Sequence, residues 1–170
     1  MPILLQEGFD TYSPKASKLL FGANRISPML DFNIGEFRNA GEIVEAMHRI
    51  PVSGVQEKFP AIIDKGKIRI AQDGERSTHI LKPAPWDETL RDRKQIPTNE
   101  HQTMQIASQI YGIQTASDGL CFTPDGQAVC LTRRIDILPE GDKIPMEDFA
   151  SPHLQVTYWQ SNIVKIHLAT

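Results

Sequence analysis

The order of local signals along this chain predicts an α+β fold in which helices pack on an antiparallel sheet. Two glycine-bearing turns, Asp64-Lys65-Gly66 and Pro124-Asp125-Gly126, each separate a pair of apolar runs of strand length, so each marks a hairpin. A helical pattern lies between the two hairpins. The elements follow one another as helix, hairpin, strand, helix, hairpin, which is not the repeated strand-helix-strand order of a parallel sheet.

Residues 1–38 carry the weakest signals, a short helix over 13–20 (SPKASKLL) and a loop around Gly22, Ser27 and Pro28. Helical pattern is clearer from Asn39, an N-cap residue with Glu42 three places on as in a capping box. Ile43, Val44 and Met47 give that helix its apolar stripe and Pro51 ends it. Residues 59–63 and 67–71 form the first hairpin, and 77–83 (STHILKP) a short strand stopped by Pro83 and Pro85. A polar, charged loop is expected over 86–95. Pro97-Thr98-Asn99-Glu100 reads as a helix start with Thr98 as cap, and the helix runs to about Tyr111 before Gly112. Its inward face should hold Met104, Ala107 and Ile110 or Tyr111. Residues 120–122 and 128–131 make the second hairpin.

Composition bounds the function. The 170 residues include 40% hydrophobic side chains, enough for a buried core. A net charge of −3 provides no broad basic field for direct nucleic-acid binding. No apolar run has the length of a membrane span, and the first ten residues, MPILLQEGFD, lack the basic start of a signal peptide. Cys121 and Cys130 are expected as reduced, half-buried thiols, and the cytoplasm is the expected compartment. His153 and His167 are too isolated to form a metal site, and none is expected.

Three features bear on chemistry. Residues 49–64, RIPVSGVQEKFPAIID, place a Ser53-Gly54 turn and a trailing Lys58 just ahead of a strand. That arrangement suits either an ordinary loop or one that closes over phosphates. Lys82 ends an otherwise apolar strand, and Glu100 stands near the start of the next helix, on the face of Met104, Ala107 and Tyr111 by helical spacing. A carboxylate near a buried face needs a cationic partner. The plainer alternatives are that Glu100 only caps its helix, favoured there by the dipole, and that Lys82 is a solvated strand-end lysine. A loop, a strand lysine, a helix glutamate and further strands, in that order, is the layout of a protein-kinase N-lobe. A single glycine, Gly54, fits neither the glycine-rich kinase loop nor a Walker A motif.

Five segments in order, VSGVQEKFPAII, THILKP, NEHQTMQIA, LTRRID and EDFAS, resemble the HipA family over about residues 50–151. HipA-like proteins are serine/threonine kinases that act as toxins in bacterial toxin–antitoxin systems, and the lack of a clear small domain ahead of the loop is more similar to the short HipT toxins. The resemblance implies a kinase-like N-lobe over 51–150, preceded by a helical or irregular extension (1–50) and followed by a divergent tail (151–170). It implies ATP as ligand, with Ser53, Gly54, Val55, Gln56 and Lys58 in the covering loop. Lys82 would contact phosphates, held by Glu100, and Arg134 to Asp136 would lie at the hinge beside adenine. Asp136 could equally be a plain loop aspartate. A HipB- or HipS-like antitoxin is the implied partner, and an aminoacyl-tRNA synthetase the implied substrate of an intact family member.

Departures from the pattern matter as much. Pro51 stands where family loops often carry a serine, leaving Ser53 as the candidate for autophosphorylation, which would add negative charge beside a phosphate site. Met146 replaces a more usual glutamine. A kinase also needs a base aspartate and Mg²⁺ ligands, which the family carries in a C-lobe beyond the EDF segment. The last twenty residues contain no aspartate or glutamate. The expectation is therefore an N-lobe with the C-lobe absent and no catalytic residue in this chain. Such a lobe is truncated and inactive alone, with Mg²⁺ bound only if a C-lobe is supplied. A non-catalytic module binding an antitoxin or a full-length kinase is the alternative.

Overall fold

The computed structural model describes residues 12–22, 26–37, 56–138 and 142–144. The helix expected from Asn39, the loop residues Ser53, Gly54 and Val55, Met146, the EDF segment and the tail lie outside them.

Five antiparallel strands form one sheet in the order β2-β1-β3-β5-β4: β1 (Phe59–Asp64), β2 (Lys67–Ile70), β3 (His79–Lys82), β4 (Asp118–Phe122) and β5 (Ala128–Arg133). Both expected hairpins are present. In the first, Lys65 (φ +48°) and Gly66 (φ +80°) occupy the left-handed region together, the requirement of a two-residue turn that matches strand twist. In the second, the Thr123 hydroxyl accepts from the Gln127 backbone N–H at 3.0 Å and closes the loop, with Gly126 at φ +79°.

Register sorts the side chains onto two faces. Phe59, Leu81, Leu131 and Gly119 line up in one row across four strands. Helix α1 (Pro14–Phe21) packs on that face, started by the Ser13 hydroxyl accepting from Ala16 N–H and ended by Gly22 in the left-handed region. Its Leu20 and Phe21 join Tyr12, Ile26, Leu30 and Ile34 in a single core with the sheet. Leu20, Phe59, Leu81 and Leu131 are fully buried, each stabilising the fold by about 1.5–3 kcal/mol. Trp86, expected in a polar loop, packs edge-on against Phe59 with ring centres 5.9 Å apart, and a 3₁₀ turn (Arg93–Gln95) ends that segment.

Two polar contacts hold α1 and its flank to the sheet. Buried His79 lies 2.8 Å from the Leu20 carbonyl through Nε2 and 2.8 Å from the Thr78 hydroxyl through Nδ1. Burial pushes its pKa down, so the neutral ring donates from Nε2 and accepts at Nδ1. The Tyr12 hydroxyl donates to the Leu120 carbonyl at 2.6 Å and accepts from the Leu120 N–H at 2.7 Å. It therefore satisfies both backbone groups on the outer edge of β4, which would otherwise invite another strand. Phe122, further along that edge, exchanges backbone hydrogen bonds with Pro28 and Leu30.

Cys121 and Cys130 are free thiols, as expected, but fully buried where half-burial was anticipated. Adjacent in register to Val129 and Leu120 respectively, they point to opposite faces of the sheet.

Tyr12 can reach the strand edge only because residue 119 is a glycine. A Cβ there would stand 2.6 Å from Leu20 Cδ2 and 2.7 Å from the Tyr12 hydroxyl. Gly119→Ala is therefore expected to lower stability by about 1–3 kcal/mol through overpacking, read as a drop in the urea midpoint. An unchanged midpoint would contradict this packing.

Candidate functional site

The opposite face of the sheet carries the polar residues. Its rows are Pro60, Ile80, Thr132 and Asp118, then Lys82, Cys130 and Leu120. Helix α2 (Ile96–Gln109) crosses β4 and β5 on this face. Ile62 and Ile80, on the β1–β3 half, are only half-buried. Lys82 thus stands at the border between the helix and the more open half-face.

The helix begins one residue before Pro97 and continues directly from the preceding 3₁₀ turn, so Thr98 does not cap it. Glu100 consequently lies beyond the first turn, where the dipole has largely lost its pull. Its carboxylate instead accepts from Lys82 Nζ. The two side chains are 17% and 25% exposed, so water screens their attraction only partly. Neighbouring Cys130 registers the enclosure: burial, and then the Glu100 charge, push its thiol up to about 12.

The end of the predicted loop reaches the same place. β1 begins with Phe59 opposite Leu81, next to Lys82. Pro83 and Pro85 have no N–H, so the ladder cannot continue past Lys82. Side chains take over: Gln56 Nε2 donates to the Pro83 carbonyl at 2.6 Å, and Glu57 accepts from the Trp86 N–H at 3.1 Å. Gln56, Lys58, Lys82 and Glu100 are therefore brought to one end of β3. For Gln56 this means that its amide nitrogen anchors the loop to the strand.

Arg134 and Asp136 lie at the other end. Arg134 N–H donates to the Thr78 carbonyl at 2.9 Å, just before β3. From Thr78 to Lys82 is four residues of extended chain, ~13 Å at 3.3 Å per residue. The Arg134 guanidinium grips both oxygens of Asp136, Nε at 2.9 Å from Oδ1, and also donates to Ser77 Oγ at 2.7 Å. Buried Asp136 is held below the usual carboxylate range by that guanidinium. Its carbonyl accepts from Ile144 N–H at 2.8 Å. The carboxylate thus fixes the shape of the chain after β5, while Ile135 between the two is 62% exposed.

The inward face of α2 differs from expectation. Met104 and Ala107 are half-buried, but Ile110 and Tyr111 are each 71% exposed. Its buried residues are Pro97 and His101. His101 Nδ1 donates to Asp118 Oδ2 at 2.5 Å, and Gln105 Nε2 to Asp118 Oδ1 at 3.0 Å. Sequence reading passes over this cluster; the available signal is the 97, 101, 105 spacing, which puts a histidine and a glutamine one turn apart on one face. A groove of about 470 Å³ runs between the C-terminal half of α2 and residues 115–118, lined mostly by neutral polar side chains and not by Lys82 or Glu100. Among the described residues no three His, Cys, Asp or Glu side chains converge to hold a metal ion, and no helix is long and apolar enough to cross a membrane.

Among the described residues a five-stranded antiparallel sheet flanked by two α-helices, with a strand lysine paired to a helix glutamate, defines an α+β fold organised around a half-buried charged pair. The model of the HipA-like C-terminal domain family matches residues 50–162, well over half of the chain and past Ser151, and the chain belongs to that family. Membership makes it a toxin-related protein of the HipA family. No curated protein matches the chain.

The charged pair makes a definite energetic prediction. Exposed pairs couple by about 0.2–1 kcal/mol, and uncompensated buried charges cost about 3–5 kcal/mol. Partial burial puts the Lys82–Glu100 coupling between, at about 1–2 kcal/mol. A double-mutant cycle with Lys82→Met and Glu100→Gln, followed by urea unfolding, measures it; additivity of the two changes would contradict the pairing.

Proposed function

We propose that this chain forms the nucleotide-binding lobe of a HipA-family serine/threonine kinase toxin, with ATP as its ligand. The observation that carries this reading is the Lys82–Glu100 pair, a third-strand lysine held by a glutamate on the helix that follows. In protein kinases that pair orients the lysine toward nucleotide phosphates. The loop that ends at Lys58 arrives at the same end of β3, and the chain after β5 leaves from the other. The ~13 Å between them is comparable to the length of an extended nucleoside triphosphate, at 3.3 Å per strand residue. Phosphates would lie by Lys82 under the loop, and the base by Ile135. Gly54 would let the loop fold over phosphates and Ser53 would be its regulatory hydroxyl.

The roles assigned here are those of one lobe. Phosphoryl transfer needs a base aspartate and metal-holding groups. Those belong to a C-lobe, and Mg²⁺ enters this reading only with them. The lobe on its own would bind nucleotide weakly without transferring phosphate.

A second reading rests on a different observation. Ile106, Ile110, Tyr111 and Ile113 are between 47% and 71% exposed around the end of α2, an apolar cluster of the kind found at protein interfaces. Under that reading the lobe is a non-catalytic module for an antitoxin or a full-length kinase, in keeping with the toxin–antitoxin context of its family.

Calorimetric titration with ATP separates the two. The nucleotide reading expects measurable binding that Lys82→Ala weakens at least tenfold, with an unchanged circular dichroism spectrum. Binding indifferent to Lys82→Ala, or no binding at all, would remove the nucleotide reading and leave the interaction module.

A further inference from the structure

We propose that the hydrogen-bonded cluster His101–Asp118–Gln105 is the positioning device that sets Glu100 against Lys82. The roles are indirect: the cluster's hydrogen bonds run among its own members and not to the ion pair, and each residue acts through the placement of α2. The inference deepens the nucleotide reading, on which its consequence for ligand binding rests, while its structural content stands apart from it.

Little else fixes the helix. Pro97 and His101 are its buried residues, and Ile106 and Ile110 face outward at 47% and 71% exposure. Apolar burial, the usual anchor of an amphipathic helix, is thus small, and it is non-directional in any case. Asp118 provides the direction that apolar contact lacks. It is the first residue of β4 and is 1% exposed. Its two oxygens accept from two side chains one helical turn apart, His101 at 2.5 Å and Gln105 at 3.0 Å. Two donors at i and i+4 meeting one carboxylate fix both the rotation of the helix about its axis and its position along it.

Glu100 is the next residue to His101, about 100° around the helix. With His101 held over β4, Glu100 faces toward β5 and β3, where Lys82 stands opposite Cys130. Rotation or sliding of α2 by one residue would swing Glu100 out of reach. A buried carboxylate that loses its donors is costly, so the cluster resists such slippage.

The test measures the Lys82–Glu100 coupling without nucleotide, by the same double-mutant cycle, in a second background. Asp118→Asn keeps the shape of the side chain but removes its charge and turns one of the two acceptor oxygens into a donor, so His101 and Gln105 no longer both donate to one carboxylate. The expected result is a coupling reduced to less than a third of the wild-type value. Gln105→Leu, at a half-exposed position, provides the same comparison if Asp118→Asn does not fold, with at least a halving expected. A cluster that only adds stability would lower the melting temperature and leave the coupling unchanged, and that result overturns the proposal, as would absence of coupling in the wild-type background. Titration with ATP then reports on the nucleotide reading separately: the wild-type chain either binds or does not, whatever the cycle gives. Where it binds, Asp118→Asn should weaken ATP about tenfold, and full affinity in that variant would also count against a positioning role.

Discussion

The half-buried ion pair between Lys82 and Glu100 is the constraint from which most of this lobe can be understood. A lysine at the end of an interior strand and a glutamate on a helix are individually unfavourable to enclose, because each loses hydration on burial. Together they are tolerable, provided the elements that carry them keep a fixed distance. β3 is fixed by its ladders to β1 and β5. α2 has only a small apolar seat, and its register comes from polar contacts at Asp118. The raised pKa of Cys130 shows the same enclosure from the inside of the sheet face.

The sheet divides its work between faces. One face is apolar and closed by α1, the segment around Leu30 and Trp86, with Tyr12 sealing the β4 edge. That face secures the fold. The other carries Lys82, Asp118 and Thr132 and is covered by α2 over β4 and β5. Arg134 and Asp136 play a comparable part at the far end of β3, where an internal salt bridge shapes the chain as it leaves β5.

What the sequence reveals and what it hides follow from the range of the interactions. Both hairpins are legible because a turn needing positive φ writes its requirement into neighbouring residues such as Lys65-Gly66 and Asp125-Gly126. The helix after the third strand is legible from its proline and spacing, but not its starting residue, because the 3₁₀ turn before it removes the need for a side-chain cap. Its buried face is misread for a related reason: periodicity assigns apolar residues inward, whereas here His101 and Gln105 point in to meet Asp118, and Ile110 and Tyr111 point out. Nothing local announces a partner thirteen or seventeen residues away, still less the contact of Tyr12 with Leu120 across 108. Lys82 and Glu100 stand out as a pair chiefly through the family pattern, and the geometry brings them together. Of the loop's residues, Gln56 and Glu57 tie its end to the chain just after β3 through the Pro83 carbonyl and the Trp86 N–H, contacts that no local pattern announces.

The central claim is that the border between α2 and the β1–β3 half-face, at Lys82, is where this lobe meets a nucleotide. Amide chemical-shift mapping by NMR during titration with a non-hydrolysable ATP analogue tests it most directly. The account predicts that the largest shifts fall on Lys58, Ile80, Lys82 and Glu100, with a second group at Ile135. Shifts confined to the end of α2 around Ile106 and Ile110, or none at saturating analogue, would contradict it.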